Sequence, residues 1–325
     1  MRHSLQIFFI SLLLVSAGCV GSFGSSGTRP SLTEAEVQTQ QREAQAADVL
    51  DKAMQLYHNG EFLDDDAALA YLNEAIELDP TLITARFQRA ILFMEQGKPL
   101  AALPDTEAVL EEKPEHIQAR FTRGFIRFQL GENLPAIKDF SAVLDQDDTI
   151  SEAFAMRGSC YANLGRFNDA VHDFTQTIAL NPAHQEAYYN RGMAHMELGY
   201  NVRAAHDLTQ AVSLDAHSIQ ALMARATVYM KLSQFDRAVA DFKRLIALTP
   251  NDSGMYALLG EAYAGDGEYS NARDAAHKAQ VLARAEGDDN AASVYGELID
   301  TYRLKELEAA SRKAKEPVAE PEPSE

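Results

Sequence analysis

The apolar and polar positions of this chain repeat every 34 residues. Within residues 151–182, apolar side chains recur at three- and four-residue spacing in two short segments, which predicts two amphipathic helices joined by a turn. Small residues return on the same step, so the chain as a whole is predicted to repeat this helix-turn-helix unit. They are Ala90, Gly124, Gly158, Gly192, Ala226 and Gly260 at position 8 of the unit, and Ala102, Ala136, Ala170, Ala204, Ala238 and Ala272 at position 20.

Glycine and proline mark the ends of the predicted helices. Position 15 ends the first helix, where a left-handed residue is needed, and it carries Gly97, Gly131, Gly165, Gly199 and Gly267. Proline cannot continue a helix, and it follows the second helix at Pro80, Pro114, Pro182 and Pro250. The small residues at positions 8 and 20 let the two helices approach to about 8–10 Å between their axes.

The period, the small residues, an apolar residue at position 24 and the proline at position 32 closely resemble the tetratricopeptide repeat family. The tryptophan expected at position 4 is replaced by Phe154, Tyr188, Leu222 and Tyr256, since the chain has no Trp. The resemblance implies an all-α, right-handed superhelical solenoid of about seven repeats with a C-terminal capping helix. We expect the repeats at 46–82, 83–116, 117–150, 151–184, 185–218, 219–252 and 253–286.

The segments around these repeats differ in composition. We predict a signal peptide over 1–18, a flexible Gly/Ser tether over 19–30, a solenoid over 31–286, a capping helix over 287–315 and a disordered Pro/Glu tail over 316–325. Ser31 and Glu34 have the spacing of a capping box, which predicts a helix from Leu32. In repeat one the turn glycine comes three residues early, which predicts a longer acidic loop from Glu61 to Asp66.

The N-terminus predicts export and a lipid anchor. A short basic segment precedes an apolar run that ends in small residues, as at a secretory cleavage site. Ser16-Ala17-Gly18-Cys19 resembles a bacterial lipobox, which implies acylation of Cys19 with diacylglycerol and palmitate. The resemblance, with Val20 after the cysteine, implies the outer membrane facing the periplasm in a Gram-negative cell, or otherwise the outer leaflet of the cell membrane. An ordinary signal peptide that leaves a soluble secreted protein stays open.

Charge and candidate chemistry argue against nucleic acid as a partner and against catalysis. The formal net charge is −19, from 48 acidic and 29 basic residues, so phosphate backbones would be repelled. The nine histidines are scattered; His195 and His206 share a repeat but have no third ligand, and are interpreted as surface or packing residues. Cys160 has no basic neighbour to lower its pKa and is interpreted as a buried apolar residue. We expect no catalytic residues, metal or cofactor.

Arginine and aspartate vary together along the repeats. Position 7 is Arg and position 23 is Asp in five successive units, and both are lost in repeat seven, which has Leu259 and Ala275. We predict a structural clamp between helices, formed as a forked hydrogen bond; a basic ladder for an anionic ligand stays open. The predicted pairs are Arg89 with Asp105, Arg123 with Asp139, Arg157 with Asp173, Arg191 with Asp207, and Arg225 with Asp241.

The family resemblance also implies a binding groove. In this family, positions 2, 5, 9, 12 and 13 line a concave surface, and here they include many aromatic and methionine side chains, which are enriched at interfaces. An interpretation of part of this set as core stays open. The predicted groove residues are Phe87, Ile91, Met94, Phe121, Phe125, Phe128, Tyr189, Met193, Met196, Met223 and Met230.

These features together predict a lipid-anchored scaffold or adaptor that binds peptide or helix segments of other envelope proteins, in envelope assembly or maintenance. Its general character resembles outer-membrane repeat lipoproteins that serve as pilotins or as adaptors for cell-wall enzymes. The alternative is a self-associating structural envelope protein, a homo-oligomer whose groove holds its own N-terminal helix or a neighbouring molecule.

Overall fold

The structure of the protein, a computed structural model, describes residues 33–58 and 61–315, with side chains up to residue 312. This part of the chain forms fifteen α-helices and one two-stranded sheet, so the predicted all-α repeat fold is confirmed. The predicted signal peptide, the tether with Cys19, and the C-terminal tail lie outside the described residues. None of the described helices combines the length and the hydropathy needed to cross a membrane.

The chain divides between Asn181 and Pro182 into two compact units, unit 1 before this point and unit 2 after it. Each unit is a series of antiparallel helix pairs, and the first helix of repeats two to seven begins at position 1. Unit 1 contains α1 (Glu34–Gln55), β1 (Tyr57–His58), β2 (Glu61–Phe62), α2 (Asp65–Leu78), α3 (Ile83–Glu95), α4 (Pro99–Glu112), α5 (Ile117–Gln129), α6 (Asn133–Leu144), α7 (Ser151–Asn163) and α8 (Phe167–Leu180). Unit 2 contains α9 (Gln185–Glu197), α10 (Asn201–Leu214), α11 (Ile219–Lys231), α12 (Phe235–Leu248), α13 (Ser253–Gly265), α14 (Tyr269–Glu286) and α15 (Asp289–Lys315).

The small residue at position 8 lies against the residue at position 24 of the same repeat. A Cβ added to Gly158 would lie 3.0 Å from the Phe174 ring, closer than ordinary van der Waals contact. In unit 2, a Cβ on Gly192 would lie 2.9 Å from Leu208 Cγ. The buried side chain at position 24 therefore needs a small residue opposite it, which explains the pattern seen in the sequence.

The turns between paired helices use the predicted left-handed residue. The five glycines at position 15 have φ angles between 69° and 78°. Repeat six has no glycine there, and Ser233 adopts the same conformation with φ of 54°. The left-handed geometry is therefore required by the turn itself, since it persists where the residue disfavours it.

The N-terminal part of unit 1 differs from the prediction in two places. The capping box predicted at Ser31 lies outside the described residues. The helix begins at Glu34 and not at the predicted Leu32, because Thr33 is its N-cap: the Thr33 hydroxyl accepts from Glu36 N, and the Glu36 carboxylate accepts from Thr33 N at 2.7 Å. Both boxes have the same spacing, so the sequence alone did not separate them. The predicted loop at residues 61–66 is also wrong, because β2 and the start of α2 occupy it; the Phe62 side chain is buried, with its ring centroid 4.9 Å from that of Tyr57.

The C-terminal helix α15 closes unit 2. Tyr302 is buried against Ala272 and Ala276 of α14, and Leu298 and Ile299 join the same cluster. Beyond this contact, Arg273 of α14 forms an ion pair with Glu306 of α15 at 2.6 Å. The predicted capping helix is present, and this cluster covers the last repeat.

Candidate partner-binding surface

Four of the predicted groove residues are buried in unit 1. Ile91 and Met94 on α3 and Phe121 and Phe125 on α5 are each 7% exposed or less. Phe121 stacks edge-on against Phe140 of α6, with ring centroids 5.4 Å apart. The assignment of these four side chains to an open surface is wrong, because neighbouring helices cover positions 9 and 12 of repeat two and positions 5 and 9 of repeat three.

The remaining groove residues of unit 1 are only partly exposed. Phe128 packs against the core cluster that contains Phe125, and the Phe87 ring lies 5.2 Å from the His116 ring. In the next repeat the corresponding positions carry the small residues Ala155 and Ser159. Unit 1 therefore does not expose a continuous apolar surface at these positions.

Unit 2 does bring predicted groove residues together at a partly exposed surface. Tyr189, Met193 and Met196 project from one side of α9, since they are spaced by four and three residues. They pack against Ala224, Val228 and Leu232 of the neighbouring α11 while remaining half-buried. Met223 and Met230 are the half-buried residues at the corresponding positions of α11. These five side chains, Tyr189, Met193, Met196, Met223 and Met230, are called the Tyr/Met face.

The structure forms all five Arg–Asp pairs, each within a single repeat. In repeat four, Arg157 Nε donates to Asp173 Oδ2 at 2.7 Å and Nη2 donates to Oδ1 at 2.9 Å. The same two-pronged contact joins the other four pairs, and every one of the five aspartates is buried. The hydrogen bond to Asp173 raises the pKa of Arg157 above its usual value. These guanidinium groups already bind a carboxylate, which favours the clamp over a ladder for an anionic ligand.

Two of the clamps also reach the preceding repeat. Arg89 Nη1 donates to Asn73 Oδ1 at 2.7 Å, and Arg157 Nη1 donates to Ser141 Oγ at 3.1 Å. In both cases the acceptor lies at position 25 of the repeat before. The clamp therefore joins the two helices of one repeat and, at these places, couples neighbouring repeats. Its contribution to stability stays a prediction.

Position 11 has a role in repeats three and five that was not predicted from the sequence. Arg127 Nη1 donates to Asp139 Oδ2 at 2.9 Å, and buried His195 lies with Nδ1 3.0 Å from Asp207 Oδ2. Burial lowers the pKa of His195, and the Asp207 carboxylate opposes that shift. The signal was present in the repeat alignment, since position 11 is aromatic in repeats two, four, six and seven and basic only in these two.

The described residues offer little that suggests catalysis. Across residues 33–58 and 61–312, no group of three or more His, Cys, Asp or Glu side chains has the geometry to hold a metal ion. Cys160 is fully buried, and burial raises the pKa of its thiol to about 12, which suppresses the reactive thiolate. His206 is exposed on α10, at the edge of the clamp carboxylate of Asp207.

The repeat pattern matches a known protein family over part of the chain. Residues 156–218 and 223–291 match the tetratricopeptide repeat family model. Curated protein sequences gave no match. The family assignment made from the sequence is therefore supported over these two segments.

Solved structures share the fold at low sequence identity. YrrB, a tetratricopeptide repeat protein with an unusual peptide-binding site, is 23% identical, covering 59% of this chain and 98% of its own, with a TM-score of 0.51. A repeat protein from Parabacteroides merdae is 20% identical over 82% of this chain and 99% of its own, with a TM-score of 0.52. The C-terminal part of a repeat protein from Cytophaga hutchinsonii is 18% identical over 74% and 95%, with a TM-score of 0.57.

Proposed function

We propose that this chain, with its tetratricopeptide repeat fold, is a lipid-anchored scaffold that binds partner proteins through the Tyr/Met face of unit 2. Tetratricopeptide repeats generally mediate protein–protein interaction, and the fold is typically a non-enzymatic scaffold. The partner contributes a peptide or helix segment of another envelope protein, in envelope assembly or maintenance, in the manner of a pilotin or adaptor.

The observation that carries this proposal is the partial exposure of the Tyr/Met face. Methionine side chains are flexible and polarizable, so they adapt to partners of varied shape. Tyrosine and methionine are also enriched at protein interfaces. In unit 1 four of the corresponding side chains are buried, the half-buried Phe87 and Phe128 lie on different helices, and α7 carries small residues, so the continuous half-buried surface lies on α9 and α11.

A peptide is the ligand class that suits this surface. The face runs across two parallel helices, which is the geometry of an extended or helical segment lying in a groove. YrrB, which shares the fold, is described as having a peptide-binding site. We take from that likeness the kind of ligand alone, and the residues proposed to bind it are those of this chain.

The lipid anchor is proposed from the sequence around Cys19. Two or more acyl chains anchor a protein stably, whereas a single chain binds a membrane only marginally. We propose that the anchored chain lies at the outer membrane, facing the periplasm, if the cell is Gram-negative. Wild type should incorporate labelled palmitate and sediment with membranes, and Cys19→Ser should do neither. Unchanged incorporation in the variant would contradict the assignment.

Site-specific photo-crosslinking in the cell that makes the protein tests the binding surface. A crosslinking amino acid replaces Met193 on the Tyr/Met face, and in a control chain it replaces Val202, which is 73% exposed on α10. We expect the same partner protein to be captured repeatedly at Met193 and not at Val202. Equal capture at both positions would contradict the proposal, and capture of the chain itself would favour self-association.

A further inference from the structure

Exposed carboxylates surround the Tyr/Met face. Asp288 Oδ1 accepts from Ala291 N at the start of α15, as Asp252 Oδ1 accepts from Met255 N at the start of α13. Counted from Asp289, the groove positions 2, 5, 9, 12 and 13 can therefore be followed along α9, α11, α13 and α15. Their charged members are all exposed, and they comprise five carboxylates and one ammonium group. They are Glu186 and Glu197 on α9, Lys231 on α11, Glu261 on α13, and Glu297 and Asp300 on α15.

The apolar and acidic parts belong to one continuous side of unit 2. Met223 and Met230 of α11 pack in the same cluster as Leu259 of α13. Further along, Tyr263 of α13 packs in one cluster with Tyr302 of α15. Burial raises the pKa of Tyr302 and the negative charge of Glu261 adds to it, which also indicates that these two helices lie close here.

The carboxylates are available to a partner. In the described part of the chain, none of the five carboxylates lies within salt-bridge distance of a basic side chain. Position 5 and position 12 of α13 carry the small residues Ala257 and Ala264, so α13 has no large apolar side chain at these groove positions. On this side of unit 2 the apolar side chains lie in the middle of α9 and α11, with charged residues at the ends of these helices, and the charged groove residues of α13 and α15 are all carboxylates.

We propose that the occupant of the Tyr/Met face is a basic amphipathic peptide segment, with apolar side chains on the methionines and Lys or Arg side chains on the carboxylates of α13 and α15. This inference rests on the proposed function, because it names the chemistry of the partner for the same surface. Charge complementarity steers encounter and selects among partners more than it adds affinity. An acidic amphipathic segment would meet the same methionines but be repelled.

Unit 1 provides an internal comparison. At its groove positions in α3, α5 and α7 the charged residues are Glu95 and Glu152, both half-buried, and the large apolar side chains are mostly covered. The combination of half-buried methionine and exposed carboxylate therefore occurs on unit 2. A general attraction of cations by the −19 charge of the chain would not distinguish the two units.

Three labelled peptides of about 18 residues, each patterned as an amphipathic helix, test the inference by fluorescence anisotropy with the full chain. Their apolar side is Leu, and their polar side is Lys, Gln or Glu. We expect the Leu/Lys peptide to bind most tightly and to weaken as salt is raised, since exposed charge pairs are screened. Replacing Glu261, Glu297 and Asp300 by their amides should weaken Leu/Lys binding about five- to tenfold and leave the Leu/Gln peptide unchanged.

A matched control keeps the same net charge change. Asp236 on α12 and Asp274 and Glu286 on α14 are exposed carboxylates on the second helices of their repeats, and their amide variants should bind Leu/Lys as wild type does. An equal loss in this control would overturn the inference in favour of general electrostatic attraction. Equal binding of the three peptides by wild type would overturn it as well.

A second variant separates this inference from the proposed function. Met193→Ser with Met230→Ser removes apolar contact and leaves the carboxylates in place, so it should weaken the Leu/Lys and Leu/Gln peptides alike. If the double methionine variant weakens both peptides while the amide variants have no effect, the surface binds peptides without the charge preference. If neither set of variants changes binding, or no peptide binds, both the inference and the proposed function are wrong.

Discussion

Removing the Arg157 guanidinium would show how much a clamp contributes to stability. Arg157 binds Asp173 through two nitrogens at 2.7 and 2.9 Å, and its third nitrogen reaches Ser141 of the preceding repeat. Asp173 is only 1% exposed. In Arg157→Ala the Asp173 carboxylate would lose both charge-assisted hydrogen bonds and retain only the contact with His172 Nδ1, at 3.3 Å.

The expected cost follows from that burial. A buried carboxylate left without its partner typically lowers the free energy of unfolding by about 3–5 kcal/mol. Replacing both partners by apolar groups costs much less, and repeat seven does this naturally with Leu259 and Ala275. We therefore expect the double variant Arg157→Leu with Asp173→Ala to cost less than about 2 kcal/mol. The two sites would then be coupled by about 2 kcal/mol or more.

Urea unfolding followed by far-UV circular dichroism measures these differences. The urea midpoint and the dependence of the free energy of unfolding on urea concentration are both fitted, since each repeat is stabilised by its neighbours. Arg166 is a matched control: it pairs with Asp169 at 2.8 Å, but both side chains are about half exposed, at 50% and 48%. Arg166→Ala should cost at most about 1 kcal/mol. If Arg157→Ala costs no more than that, or the double variant is the least stable of all, the clamp reasoning is refuted.

The other predictions concern single positions in the repeats. Ser233→Gly should raise the free energy of unfolding by up to about 1 kcal/mol, because Ser233 holds φ at 54°; a fall in the urea midpoint would contradict this. Gly158→Val should lower the free energy of unfolding by about 2–3 kcal/mol, because the larger side chain overpacks against Phe174. Gly158→Ala should have little effect, since Ala226 occupies the same position opposite Phe242 in repeat six. Equal effects of the two variants would argue against close packing. The pKa of His195 in the folded protein lies below its ordinary value of 6.5. The contribution of His195 to the free energy of unfolding is therefore fully present above pH 6.5, where the imidazole is neutral, and is lost as the pH falls below 6.5. His195→Tyr, the residue at this position in repeats four, six and seven, should flatten the change in urea midpoint between pH 7.5 and 5, and an unchanged slope would refute the assignment.

The repeat itself could be predicted because its determinants are local. Gly165 is required by the turn that ends α7, and Gly158 by the ring of Phe174, sixteen positions later in the same repeat. Both constraints act within one 34-residue unit and return with it. The pairing of Arg157 with Asp173 was predictable for the same reason, since the two residues vary together along the chain.

Exposure at the groove positions was not predictable in this way. Phe125 and Met193 both lie at position 9, yet Phe125 is buried and Met193 is half-buried. The difference depends on how closely neighbouring helices cover that position, which residue type does not reveal. The carboxylates of α15 could not be predicted as groove residues, because α15 starts 36 residues after α13 and so departs from the 34-residue period.

The most direct test of the Tyr/Met face uses its own methionines as probes. With ¹³C-methyl methionine, NMR reports at once on Met193, Met196, Met223 and Met230 in unit 2 and on Met54, Met94 and Met156 in unit 1. The ligand is a synthetic peptide covering the partner segment captured by crosslinking. We predict that the four methyl signals of the face shift or broaden on titration and that the three unit 1 signals do not. Shifts confined to unit 1, or no shift at saturating peptide, would contradict the account.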